Sequence, residues 1–573
     1  MILTSKLRRK AQTCKLILGI LLPLQKICTV CTIPNNIKLR MMRRLFLSLL
    51  AFGATLLGYA HTSQSSQARP LAWRGVMIDV SRHFLPIDEL YRQVDVMSHY
   101  GLNILHLHLT DAAGWRMEIK AYPRLTEVGA WRTRQVWKDW WNTPPHADGQ
   151  DVGFVRAYSE SQNGFGGYYT QQQLRQLVAY AQDKGVTIVP EIEFPGHSEE
   201  VCAAYPEVAF NHAEMDLANN ATYQFMQTIL REVADVFPSP YIHCGGDETA
   251  TQKELYHQGI RRLNAIVRSL GRKMVVWDEA LTDTEADSTL VIMVWRNAEL
   301  GEKALALGHE VVMCPSAWCY LDSYQDAPQT QPEAMGGYRP LSHVWEVGQL
   351  IAPMRHRLLG VQVCLFTEYV PTPQLLQYQL WPRALAVSEV GMGRTRSYEA
   401  FRKWATHVSD SLRRVGINAF DLRREIGQRP EYGRRVRHKA LRAKVRMNGR
   451  CHYSSAYAAG GDDALTDGRQ GSWNNNDGRW QGYCCDLDIT IDLGAERTLH
   501  EVSIPFLQIA GPEIFLPQQV TVNGEPCSAQ PHDLPYAICT YTLRRKLTTR
   551  YLHIQAQRSP RQGWLFVDEV VAK

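Results

Sequence analysis

From Trp73 onward, short apolar runs alternate with stretches of helical periodicity for roughly 340 residues, and few folds accept that pattern. Eight runs read as buried strands: WRGVMID, NILHLHLT (103–110), VTIVPEIE, YIHCGG, MVVWDE, Leu290–Trp295, Glu310–Cys314 and Leu359–Phe366. Between them lie helical faces. Pro86 opens one carrying Ile87, Leu90, Val94 and Met97, and Thr170 with Gln173 forms a capping box ahead of Leu174, Leu177, Val178 and Ala181. Eight strands joined largely by helical crossovers predict an α/β chain with a (β/α)8 TIM barrel, placed at 70–425.

In such a barrel the strands' C-terminal ends share one mouth. Asp111, Glu191, His197, Asp247, Glu248, Trp277, Asp278, Trp295 and Glu368 all lie at or just past such an end. The densest stretch is YIHCGGDET, Tyr241–Thr249. Strand side chains alternate, so adjacent carboxylates normally face opposite ways. After Gly245-Gly246 the chain can bend, and both acids can reach one cleft in different surroundings, which sets their pKa values apart. The residues alone leave a solvated turn as an equal reading.

Beyond the barrel, 396–425 reads as a terminal helix with Phe401, Trp404 and Val408 as its apolar positions. The basic stretch 426–448 reads as a linker. From 449 to 573, short alternating segments such as LDITIDLG, HEVSIPFLQ and QQVTVNG predict a C-terminal all-β sandwich domain. Trp473, Trp480 and Trp564 are its candidates for exposed, sugar-stacking aromatics.

The formal charge of +6 comes from the first sixty residues, which hold ten Lys/Arg and no acid. The remainder is mildly acidic, so nothing electrostatic points to nucleic acid. Met41-Met42-Arg43-Arg44 followed by LFLSLLAFGATLLGYA predicts a signal peptide within a 1–60 leader, with the true start at Met41 or Met42. That implies export to periplasm or medium, with no membrane span in the mature protein. Past the leader, five cysteines precede residue 400 and five follow 450. These odd counts and the adjacent Cys484-Cys485 predict no disulfide framework.

The blocks RGVMIDVSRHF, HLHLTDAAGWR, YPRLTEVGAWR, VPEIEFPGHS, YIHCGGDET, VVWDEAL and LFTEY, in that order, resemble glycoside hydrolase family 20, the β-N-acetylhexosaminidases, over about 72–400. More loosely, ALTDGRQG, GRWQGY, DLDITIDLG and WLFVDEV resemble a discoidin-like carbohydrate-binding module.

The family resemblance implies an exo-acting enzyme that releases terminal β-linked GlcNAc or GalNAc from a glycan. It implies a retaining, substrate-assisted mechanism, in which the sugar's 2-acetamido oxygen attacks C1 and gives an oxazolinium ion. Glu248 matches the general acid/base, Asp247 the carboxylate holding the acetamido N–H, and Tyr320 the donor to the acetamido oxygen. Arg74 matches the arginine for the terminal sugar's hydroxyls, Glu368 a carboxylate at the far edge, and Asp322 a hydroxyl contact. Trp277 and Trp295 match walls around the acetamido methyl, and Asp111 and His197 a supporting pair behind the acid. No metal or organic cofactor is implied, although a structural calcium in the C-terminal module is left open, as is the oligomeric state. Phe366 stands where the family usually has a tryptophan platform, losing area and an indole N–H. The stretch after Glu248 is also shorter than usual. The alternatives carried are a disaccharide-releasing relative and an inactive glycan-binding protein.

Overall fold

The computed structural model describes residues 68–112, 114–141, 158, 159, 161, 162, 164–281, 287–394, 396–531 and 534–573. The leader and its signal-peptide expectation lie outside the described residues.

Eight parallel strands close into a barrel: β1 (Trp73–Asp79), β2 (Ile104–His108), β3 (Thr187–Glu191), β4 (Tyr241–His243), β5 (Lys273–Trp277), β6 (Val291–Val294), β7 (Glu310–Met313) and β8 (Gly360–Leu365). Seven fall inside a run expected from sequence, and β5 begins one residue ahead of its run, at Lys273. β8 pairs back to β1 in register Arg74–Val361 through Ile78–Leu365, which closes the ring. β-branched and large apolar residues (MVVW, VIMV, EVVM) suit strands buried on both faces. The crossover helices bury the stripes their periodicity predicts: α1 (Ile87–His99) buries Leu90, Val94 and Met97, and α2 (Gln171–Asp183) buries Leu174, Leu177, Val178 and Ala181. The Thr170–Gln173 capping box at α2 is present. α3 (Asn220–Val236) starts from Asn219, whose side chain accepts from Ala221 N at 2.9 Å. The later helix Tyr398–Arg414 buries Phe401 and Val408.

The C-terminal domain is an eight-stranded, largely antiparallel sheet built around two long strands, Leu487–Ile509 and Tyr536–Gln557. LDITIDLG and HEVSIPFLQ, read from sequence as separate segments, are thus one continuous strand with register shifts between Asp492 and Glu501. The stretch read as a linker, 426–448, is woven into this domain. Lys444–Met447 pairs with Ile489–Asp492, and Arg429 Nη1 donates to buried Asp568 Oδ2 at 2.9 Å. His438 Nε2 lies 2.8 Å from Glu569 Oε1. Arg429 and His438 therefore pair with buried acids, while the other basic residues of the stretch, among them Arg434, Arg435 and Arg437, are exposed.

Two further expectations need correction. Cys451 and Cys485 form a disulfide, whereas Cys484 is exposed and free. The two lie in the bend between the strands Gln481–Tyr483 and Leu487–Ile509, where Cys485 is half-buried on Cys451's side and Cys484 is left to solvent. Trp473 and Trp480 are buried, in one apolar cluster with barrel residues Tyr324, Ala327, Ala334 and Tyr338. They pack a seam instead of presenting a sugar platform.

Candidate active site

The barrel interior is lined by charge. Alternation puts His106 and His108 of β2, and Glu191 at the end of β3, on the inner face. Glu191 accepts from His108 Nδ1, and lies 3.1 Å from His106 Nε2 and 2.7 Å from His243 Nδ1. Burial opposes ionisation of Glu191, but the three imidazoles outweigh it and hold the carboxyl well below its usual range. These residues could hold a metal by type, as could His108, Asp111 and Glu193, or His197, Asp247 and Glu248. In the first group His243 Nδ1 already accepts from Gly245 N and His106 Nδ1 from Gln362 Nε2, each at 3.1 Å.

Above this floor a relay leads to the mouth. His108 Nε2 donates to Asp111 Oδ2 at 2.7 Å, and His197 Nδ1 donates to Asp111 Oδ1 at 3.1 Å. On its other side His197 Nε2 sits 3.4 Å from Glu248 Oε2 and 3.6 Å from Asp247 Oδ2. Burial disfavours a charged His197, yet Asp111 and Asp247, with bonds to Asp111 and Glu248, raise its pKa well above 6.5. His197 is thereby favoured in its imidazolium form. Its hydrogen bond in turn lowers Glu248, whose side chain is 61% exposed. Asp247 is the opposite case. Burial raises its pKa against the pull of His197, and its Oδ1 is buried without a hydrogen-bond partner among the described residues. The two adjacent acids thus occupy different environments.

The backbone makes this possible. Gly245 (φ 57°) and Gly246 (φ 98°) lie in the left-handed region, and so does Glu248 (φ 46°). A Cβ on Gly245 would fall 1.7 Å from Glu193 Oε2, so only glycine fits there. The Tyr256 hydroxyl donates to Gly246 O at 2.6 Å and fixes the bend.

The far wall comes from β6, β8 and the loop after β7. Trp295 stacks on Tyr320 (centroids 6.3 Å, 20° apart), Tyr320 meets Phe366 at 5.1 Å, and Phe366 meets His108 at 5.6 Å. Trp277 lies deeper, buried edge-on to His243 at 4.9 Å, with its Nε1 unpartnered among the described residues. Asp322 Oδ1 and Glu368 Oε2 are likewise buried acceptors without partners there. Burial pushes Glu368 up to about 7 against the pull of Arg82. An aromatic pocket with several unpaired buried acceptors suits a ligand rich in N–H and O–H donors.

One sequence-predicted residue is not brought here. Arg74 is the second residue of β1, at the opposite end of the barrel, where its guanidinium donates to the carbonyls of Leu71 (2.5 Å) and Gly101 (2.7 Å). The arginine at the mouth is Arg82, from the same RGVMIDVSRHF block. Its Nη2 lies 2.5 Å from Asp111 Oδ2 and 3.8 Å from Glu368 Oε1, its Nη1 donates to Asp79 Oδ2 at 3.2 Å, and its guanidinium lies 5.4 Å from the centre of the Phe366 ring. Asp79 also accepts from the backbone N–H of Thr367 at 2.9 Å, so one carboxylate positions both Arg82 and the Phe366–Glu368 segment.

Sequence reasoning passed over Asp79, His108, Glu193 and Glu279 as well. Glu279 accepts from Trp295 Nε1 at 3.1 Å, and burial beside Asp278 pushes it up to about 7. Glu193, one alternation beyond Glu191, is held protonated by burial and by the charges of Asp247 and Glu191. The available signal was position: all four lie near the strands' C-terminal ends.

The family model for the glycosyl hydrolase family 20 catalytic domain matches residues 71–258 and 250–392. A β-hexosaminidase of Porphyromonas gingivalis is 35% identical over 356 residues, covering 56% of this chain and 42% of that protein. One of Vibrio furnissii is 32% identical over 360 residues, covering 56% of each. The chain thus spans about half the length of these curated relatives. Among solved structures, the exo β-N-acetylglucosaminidase of Vibrio harveyi, in complex with N-acetylglucosamine, superposes with a TM-score of 0.52 at 27% identity, over 61% of this chain and 59% of that one. No helix among the described residues is long and apolar enough to cross a membrane. A barrel with this mouth, matched by the family model along its whole length, makes the chain a member of glycosyl hydrolase family 20.

Proposed function

We propose that this protein is an exported exo-β-N-acetylhexosaminidase, releasing terminal non-reducing β-linked GlcNAc or GalNAc by a retaining, substrate-assisted route. The carrying observation is the adjacent pair with unlike surroundings: Asp247, half-buried with a fully buried, unpaired Oδ1, and Glu248, exposed and 3.4 Å from His197 Nε2. Asp247 Oδ1 is an acceptor for the acetamido N–H. Held there, the acetamido oxygen attacks C1 as the C1–O bond to the leaving group breaks, and the oxazolinium charge develops beside a carboxylate.

The departing oxygen needs one proton. His197 and Glu248 share it: in the open pocket it rests on His197, and a sugar that excludes water from Glu248 favours its transfer to the carboxyl. Glu248 then takes a proton from the water that opens the oxazolinium, which restores the pair. Tyr320, backed by Trp295 and Phe366, is placed to donate to the acetamido oxygen, while Arg82, Asp322 and Glu368 receive the far-edge hydroxyls. Export is supported by the Met41–Ala60 pattern; N-terminal sequencing of protein recovered from the periplasm or medium would find a start after residue 60, and an intact leader would refute it.

Hydrolysis of an aryl β-N-acetylglucosaminide beside the matching plain β-glucoside tests the activity. Turnover of the first only is expected. Equal turnover of both, or of neither, would refute it.

A further inference from the structure

The loop after β7, residues 320–340, begins with Tyr320 and Asp322 and has two sides. One side belongs to the barrel. Tyr320 packs on Trp295 and Phe366, Leu321 N donates to Cys364 O at 2.8 Å, and buried Arg383 donates to the carbonyls of Ser323 (3.2 Å) and Arg339 (3.0 Å). The other side belongs to the C-terminal domain. Tyr324, Ala327, Ala334 and Tyr338 share one apolar cluster with Ile509, Ile514, Tyr536 and Phe566. Tyr324 meets Tyr536 edge-on at 5.5 Å.

Hydrogen bonds complete the clamp. The Tyr536 hydroxyl donates to Trp473 O at 3.0 Å, and Trp473 Nε1 donates to Gly427 O at 3.0 Å. Gly427 N and Ile426 N in turn donate to Asp326 of the loop at 2.7 and 2.8 Å.

The contact reaches the pocket in two steps. Met335 N donates to Asp322 O at 3.1 Å, and the carbonyl of Met335 faces Gly511. A Cβ on Gly511 would lie 2.5 Å from Met335 O and 3.4 Å from the hydroxyl of Tyr369, the residue after Glu368. On the barrel side, a Cβ on Gly336 would lie 3.4 Å from Pro512, in ordinary contact. The two residues that carry the unpaired far-edge acceptors are therefore each one step removed from the turn: the Asp322 backbone is bonded to Met335, and Glu368 precedes Tyr369, the two residues that face Gly511.

We propose that the C-terminal domain braces the wall of the sugar pocket from behind, and that its Gly511 turn positions Asp322 and Glu368 and so sets discrimination at the sugar's far edge. This rests on the hexosaminidase reading above. GlcNAc and GalNAc differ only in the configuration at C4, which lies across the ring from C1 and the acetamido group. Hydrogen bonds weaken steeply with a few tenths of an ångström or with tilt, so a displaced Asp322 changes how the two epimers are held more than it changes the chemistry at C1. Gly511 and its turn are positioning residues, since they touch the loop and not the sugar.

The test is Gly511→Val in the full chain, assayed with aryl β-N-acetylglucosaminide and β-N-acetylgalactosaminide. We expect KM to rise about tenfold with kcat within about threefold, and the ratio of the two kcat/KM values to change at least about fivefold. Arg544→Ala, on an exposed part of the same domain, should leave all four constants unchanged. If Gly511→Val does not fold, Gly511→Ala adds only the colliding Cβ and is read in the same way. A folded variant with unchanged constants would overturn the proposal. So would a loss of apparent kcat at constant KM and constant epimer ratio, because a purely stabilising domain behaves that way. Wild type inactive on both epimers would instead sink the hexosaminidase reading.

Discussion

Arg82 and Arg74 make opposite predictions from one sequence block. The Arg82 guanidinium is buried among three carboxylates, at 3.2 Å from Asp79, 2.5 Å from Asp111 and 3.8 Å from Glu368. Removing one partner of a buried ion pair costs about 3–5 kcal/mol, because the charge left behind is uncompensated. In Arg82→Met the acids respond by taking up protons, since Arg82 now pulls both Asp111 and Glu368 downward. A charged hydrogen bond to a sugar hydroxyl contributes about 1.5–3 kcal/mol, so kcat/KM should fall about 10- to 150-fold. Arg82→Lys keeps the charge but not the planar fork, and should recover only part of that loss. Arg74 sits at the other end of β1 on two carbonyls, so Arg74→Met should lower the melting temperature while leaving kcat/KM within about twofold. The assay is steady-state hydrolysis of an aryl β-N-acetylglucosaminide, with thermal melts confirming that each variant is folded. The assignment fails if Arg74→Met loses as much kcat/KM as Arg82→Met, or if folded Arg82→Lys loses none.

Three further substitutions probe the acids. Glu248→Gln removes the transferable proton, so rates should drop about 10²–10⁴-fold with poor leaving groups and much less with activated aryl ones; an equal drop across leaving groups would show that Glu248 is not the acid. Asp247→Asn keeps size and an acceptor but loses charge, and kcat should fall about 10²–10³-fold while product affinity changes little; unchanged kcat would remove Asp247 from the mechanism. The pH profile isolates His197. Because its pKa is raised well above 6.5, the His197–Glu248 pair keeps its proton through neutral pH, and activity should decline only as pH rises through that raised value. In His197→Asn the proton must sit on Glu248 alone, so the alkaline limb should move roughly two pH units or more toward the ordinary carboxyl range; an unmoved limb would contradict the relay.

Much of the fold was legible because its signals are periodic. Eight apolar runs, spaced by amphipathic helices, leave little but a parallel barrel, and each strand matches its expected run to within a residue. The pocket was legible wherever a residue stood at a strand's C-terminal end. Arg74 was misplaced because the motif carries two arginines and side-chain alternation cannot say which end of a strand is the mouth. Strand direction can: in a parallel barrel, Arg82, three residues past the strand, is on the functional side, and Arg74 is not. His106, His108 and Glu193 looked like strand filler because each is polar in an apolar run, whereas Glu191 stood out by its place at a strand end. Their i, i+2 spacing puts them on the barrel's inner face, where buried charge must be paired.

The C-terminal domain was read least well. Trp473 and Trp480 satisfy the composition of a sugar-binding face, but composition does not say whether an aromatic meets solvent or another domain. Here both are buried, in an apolar cluster that also takes in loop residues of the barrel. Likewise, the basic stretch before the sheet seemed solvated only because its partners, Asp568 and Glu569, lie more than a hundred residues further along the chain.

The central claim is that the substrate's own acetamido oxygen, oriented by Asp247, is the nucleophile. Its most direct test is the rate of hydrolysis of a series of aryl glucosaminides in which the acetamido methyl carries zero, one, two and three fluorines. Fluorine scarcely changes the group's size but drains electron density from the attacking oxygen, so kcat/KM should fall with every fluorine added. A series that stays flat would place the nucleophile on the protein and contradict the account.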